Sequence, residues 1–145
     1  MNENELRECL LKEAEIVQDI ISRMANNSFL IKGWAVTLVV VSLLFGGGVY
    51  HHFIAFIPWI IFWVLDAYFL QLEKLYRKLF DWVRENRPKT DEHLLSMNVD
   101  RFRKEVPCKI QLMFSKTLLT FYGTLLLIIL CVVYIDLQAG IVPST

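Results

Sequence analysis

The chain has 145 residues, room for one domain, and 55% of them are hydrophobic, well above an ordinary soluble domain. Fifteen Lys and Arg offset fifteen Asp and Glu, but residues 73–116 carry eleven bases against seven acids. A basic segment beside a membrane is explained by anionic lipid and orientation, and no RNA- or DNA-binding motif accompanies it. Three cysteines (Cys9, Cys108, Cys131) lack disulfide or metal spacing, and the chain has no Gly-rich phosphate loop, Ser/His/Asp arrangement or metal-ligand cluster. These absences argue against an enzyme, a cofactor or a nucleic-acid partner.

Residues 3–26 read as an amphipathic helix. Leu10, Ala14, Val17, Ile21 and Met24 recur with steps of 4, 3, 4 and 3, which aligns them on one seam. The start is polar and acidic, unlike a cleaved signal peptide. Asn26, Asn27 and Ser28 are expected to break or bend the helix before the first span.

From Gly33 to Leu65 there is no Asp, Glu, Lys or Arg. That run would be about 50 Å long as one helix, against roughly 30 Å of hydrocarbon. Gly46-Gly47-Gly48, His51-His52 and Pro58 mark where it folds back, giving a first span at 33–50 and a second at 53–72. Leu65, Phe69, Leu72, Tyr76, Leu79 and Val83 keep the 4/3 spacing beyond the membrane, so the second span continues as a helix to about residue 86. In a hairpin centred near Val49, Val17 falls level with Asp81 and Met24 with Lys74, so the two seams run side by side.

Residues 87–107 read as a polar connector with a short helix near 91–97, and Pro107 is placed to open the last helix. The third span covers 117–135 and stops at Asp136. All fifteen bases lie before the first span or between the second and third. Loops rich in Lys and Arg stay cytoplasmic, which predicts N-terminus in and C-terminus out.

Lys32 and Asp66 are each 17 residues from the hairpin centre, near the same membrane depth. Charges near hydrocarbon pair or face a polar interior; otherwise Lys32 snorkels to headgroups and Asp66 reaches interfacial water. Trp59, Trp63 and Asp66 share a helix face that reads as a helix interface or as the lining of a cation path. His51 and His52 read as a plain polar turn. Thr117, Thr120 and Thr124, beside Gly123, form a small face suited to close helix packing. Arg87 and His93 match the loose Arg-x5-His spacing of HEPN-type ribonucleases, but nothing else resembles that soluble four-helix fold.

Two stretches carry a family likeness. Arg23-Met24-Ala25-Asn26-Asn27-Ser28-Phe29 runs into Lys32-Gly33-Trp34, and Leu65-Asp66-Ala67-Tyr68-Phe69 runs into Glu73, Tyr76-Arg77 and Leu79-Phe80-Asp81. Together they resemble a group of small, uncharacterised bacterial membrane proteins, some associated with anti-phage defence loci. The likeness covers residues 20–85 and places Arg23, Asn26, Asn27, Lys32, Asp66, Glu73 and Asp81 in one polar belt of the signature stretches.

The expected fold is all-α: three transmembrane helices with a cytoplasmic helical layer. The leading functional expectation is a homo-oligomeric, pore-forming or permeability-altering protein of the bacterial inner membrane, acting in antiviral defence. The alternatives are a membrane-anchored adaptor docking a soluble cytoplasmic partner through its basic layer, and a small transporter or channel subunit using Asp66.

Overall fold

The structure is a computed structural model, and it describes residues 3–45, 52–86 and 96–141. The described residues form helices and turns only. Helix α1 runs from Glu3 to Leu44, α2 (Phe56–Asn86) follows a 3₁₀ turn at Phe53–Ala55, and α3 (Lys109–Met113) is a single short turn before α4 (Lys116–Ile141). Helices α1, α2 and α4 are each long and apolar enough to cross a membrane, so the protein is multi-pass and all-α.

Helix α1 does not break at Asn26, Asn27 and Ser28. Its 42 residues form one continuous helix. Asn costs only about 0.7 kcal/mol in a helix interior, and buried Ile21 and Ile31 pack on either side of the three polar residues. Pro107 does not open the last helix either. The chain turns at Phe114 and Ser115 after α3, and α4 begins at Lys116 and continues through Asp136. The turn at Gly46-Gly47-Gly48, together with His51, lies outside the described residues, as do Arg87, His93 and the expected helix near 91–97.

The chain divides into two compact units. One joins Met1–Ser28 to Tyr68–Cys108, and the other joins Phe29–Ala67 to Lys109–Thr145. Twelve of the fifteen bases and thirteen of the fifteen acids belong to the first, called here the charged unit. The second is the apolar unit.

In the charged unit the two 4/3 seams meet as expected. Val17 and Ile21 from α1 pack with Leu75, Leu79 and Val83 from α2. The seam on α2 is rotated from the expected one: Leu75 is buried, Leu72 and Tyr76 flank it, and Leu65 is exposed. The connector is more than a polar loop. Phe102, in a 3₁₀ turn at Asp100–Phe102, and Val106 complete the same core. Asn98 Oδ1 accepts the Asp100 amide at 2.9 Å, an Asx turn that starts this fold-back. Arg101 stacks over the Trp82 ring at 4.0 Å, and the Gln71 side chain donates to the Pro107 carbonyl at 3.2 Å.

In the apolar unit the interior is thin. Val39, Ala55 and Ile129 form a small cluster, with Leu43, Phe56, Trp59 and Val133 around it. Small residues let the helices approach: Ala35, Ala55 and Ala67 are all fully buried. Large apolar side chains point outward instead, among them Ile57, Ile61, Leu127 and Ile135, each more than half exposed. That inversion suits lipid as the surrounding solvent.

Candidate functional site

The polar groups of the apolar unit gather at two levels. At the first, Lys32 on α1 reaches Asp66 on α2, with Nζ 2.6 Å from Oδ2. Asp66 is completely buried, while the Lys32 side chain keeps 22% of its exposure. The sequence left open whether these charges pair or go separately to headgroup and water; they pair. Equal distance from the hairpin turn brings them level, and the i, i+1 neighbour Ala67 is small enough for close approach.

Helix α4 supplies a third member. Tyr122 is fully buried, and its hydroxyl lies 3.0 Å from the Phe62 carbonyl and 3.3 Å from Asp66 Oδ2. It carries one proton, so it donates to one of these oxygens at a time. Asp66 therefore joins all three membrane-crossing helices through one carboxylate.

The tryptophans hold this arrangement from the side. Trp59 Nε1 donates to the Tyr122 carbonyl at 2.8 Å, and Trp63 Nε1 donates to the Met113 carbonyl at 3.1 Å. Met113 ends α3, where a carbonyl loses its helical partner. Trp63 fills that need and also stacks against Tyr122, with ring centroids 6.1 Å apart. The Trp59–Trp63–Asp66 face is a helix interface.

At the second level His52 is 3% exposed and its Nε2 pairs with Asp136 Oδ2 on α4. The expected plain polar turn at His52 is thus a buried contact. Its Nδ1 is buried without a hydrogen-bond partner among the described residues. Fourteen residues separate His52 from Asp66, and fourteen separate Tyr122 from Asp136. By helix rise the two levels are therefore about 21 Å apart along both segments, within one bilayer's hydrocarbon.

The remaining belt residues belong to the charged unit. Glu73 pairs with Arg77 one turn away at 2.8 Å, and Asp81 lies 4.0 Å from Arg84 across exposed surface. Arg23 and Asn26 are exposed on α1, and Asn27 is half-buried. Of the seven, the structure joins only Lys32 and Asp66. It adds Tyr122, His52 and Asp136 in the apolar unit, and buried Glu13 in the charged unit. Nothing local marks Tyr122, because its neighbours one turn away, Leu118, Leu119, Leu125 and Leu126, are all apolar. Among the described residues no group of His, Cys, Asp and Glu is placed to hold a metal ion.

No family model, curated protein or solved structure matches this chain.

Proposed function

We propose that the protein is a small homo-oligomeric membrane protein that alters bilayer permeability, with the Lys32–Asp66–Tyr122 contact as its releasable lock. One observation carries this reading: a fully buried carboxylate ties three membrane-crossing helices together. Ionisable groups inside a membrane are costly, and they mark ion paths and moving parts more often than plain packing. A well-packed apolar contact would hold the helices at no desolvation cost. An ion pair, unlike an apolar contact, is a contact that a change of charge or hydration can open.

The membrane is the bacterial inner membrane with both charged segments cytoplasmic, a reading supported by the placement of all fifteen bases. In a cysteine-free background, a cysteine at Ser144 reacts with an impermeant thiol reagent in intact cells and one at Thr90 does not. The reverse pattern removes the orientation. A defence role, suggested by the resemblance of residues 20–85, is tested by phage challenge of cells carrying Asp66→Asn beside the native chain.

The permeability test uses the full chain reconstituted in vesicles, with release of a trapped dye and decay of an imposed potential as readouts. Native protein and the charge-exchanged pair (Lys32→Asp with Asp66→Lys) conduct under the same stimulus, whereas Asp66→Asn alone leaks without one. Vesicles that hold both dye and potential with every variant reject the proposal. The adaptor reading has its own support, a cleft of about 250 Å³ in the charged unit lined by Lys74, Arg77, Lys78, Asp81 and Glu105. Retention of a soluble cytoplasmic protein by native chain, lost with Lys74→Glu and Lys78→Glu together, would favour it.

A further inference from the structure

A groove of about 700 Å³ opens in the apolar unit between α1 and α4. Val36 stands on one side, Thr117, Thr120, Thr124 and Ile128 on the other, and Lys116 at one end. The threonines do not make it polar. Thr120 and Thr124 donate their hydroxyls to the carbonyls of Lys116 and Thr120 on their own helix, at 2.7 and 2.8 Å. With those two protons spent on backbone, the groove is lined mainly by methyl groups, aliphatic carbon and the Phe121 ring.

Its length separates two occupants. Twelve residues from Lys116 to Ile128 rise about 18 Å, close to the ~15 Å of hydrocarbon in one leaflet, half of a bilayer core. A helix from a second copy would cross the whole bilayer and be matched by the groove over only about half of its span. A lipid tail ends there.

Charge selects among lipids. Lys116 is exposed and has no ion-pair partner among the described residues. Beside it Ser115 keeps its hydroxyl buried and unbonded, so the first amides of α4 receive no side-chain cap. Ile110 and Phe114 are exposed just before this point, 68% and 61%, as expected of a segment lying in the interface.

We propose that the groove is a binding site for an anionic phospholipid from the leaflet bordering Lys116. One acyl chain lies along the threonine methyls, and the phosphate meets the Lys116 ammonium at the start of α4. The site does not depend on the permeability reading, since its lining between α1 and α4 includes none of the buried charges.

The test is native mass spectrometry of the full chain extracted from nanodiscs holding equal phosphatidylglycerol and phosphatidylcholine of the same chain length. One lipid per protomer is retained, with phosphatidylglycerol favoured about fivefold, the effect of one interfacial lysine. Lys116→Gln, a change at an exposed side chain, brings that preference to parity. Thr120→Phe fills the groove and removes both lipids, and added inorganic phosphate displaces neither from native protein. Equal retention of the two lipids by native protein overturns the proposal, as does a preference that survives Lys116→Gln. A shift from dimer to monomer with Thr120→Phe, at unchanged lipid retention, also overturns it and assigns the groove to a second copy.

Discussion

The charged and apolar units solve opposite problems with the same two helices. In the charged unit, α1 and α2 bury Val17, Ile21, Leu75, Leu79 and Val83 and, apart from buried Glu13, keep their described Lys, Arg, Asp and Glu at or near the surface. In the apolar unit, continuations of those helices expose Ile57, Ile61 and Val64 and bury Asp66 and His52. Water rewards the removal of apolar surface, by roughly 25 cal/mol per Å². Hydrocarbon does not, and association there rests on close packing and on polar contacts that have no better partner. A residue type therefore stabilises one unit by being buried and the other by being exposed.

The sharpest way to break that contrast is to truncate leucines in both units. Leu79→Ala removes a fully buried side chain from the charged unit and should cost 2 to 5 kcal/mol, the usual range (~) for such core truncations. Leu127→Ala, at a side chain 64% exposed in the apolar unit, should cost well under about 1 kcal/mol. Thermal unfolding in one detergent compares them; equal losses would mean that lipid-facing surface is packed against something after all.

Next in size is the buried pair. Asp66→Asn or Lys32→Met leaves a single charge or amide at depth and should cost up to about 3 kcal/mol. The exchange of both charges recovers part of that loss, because the pair and not either charge is stabilising. Additivity of the single effects in the double variant would show that the two side chains act independently. Smaller is the second polar level. Asp136→Ala leaves His52 with both ring nitrogens unpaired and should lower stability by about 1 to 2 kcal/mol, read by the same unfolding midpoint. The smallest change is in the charged unit, where Arg101→Ala removes the stack on Trp82 and should cost about 0.5 to 1 kcal/mol. A loss above that would mean that Arg101 positions Phe102 in the core as well.

The sequence was most readable where period and solvent agree. Spans, hairpin and the pairing of the two seams follow from hydropathy and a 4/3 repeat, and the depth of Lys32 and Asp66 follows from counting out from the turn. Reading failed where a contact joins distant segments by rotation about a helix axis. Whether Leu72 or Leu75 leads the α2 seam is a difference of three positions on one helix face, and periodicity alone does not resolve it. Tyr122 meets Asp66 across 56 residues, and His52 meets Asp136 across 84. Neither pair has a local signature. The continuous path through Asn26 and Asn27 is hidden from the sequence for a different reason: a weak local preference against helix yields to packing on both sides.

The ring stack described above also gives the protein an optical label of its own. Trp63 lies 5.1 Å from Trp59 and 6.1 Å from Tyr122, centroid to centroid, in a site of fixed handedness. Aromatic rings held that close couple their excited states, so the near-ultraviolet circular dichroism of the intact chain carries a band from this cluster. Because the Tyr122 hydroxyl touches Asp66, any event that parts the three helices also reorients the ring and changes the band. The state of the buried contact can therefore be followed in membranes without attaching a dye.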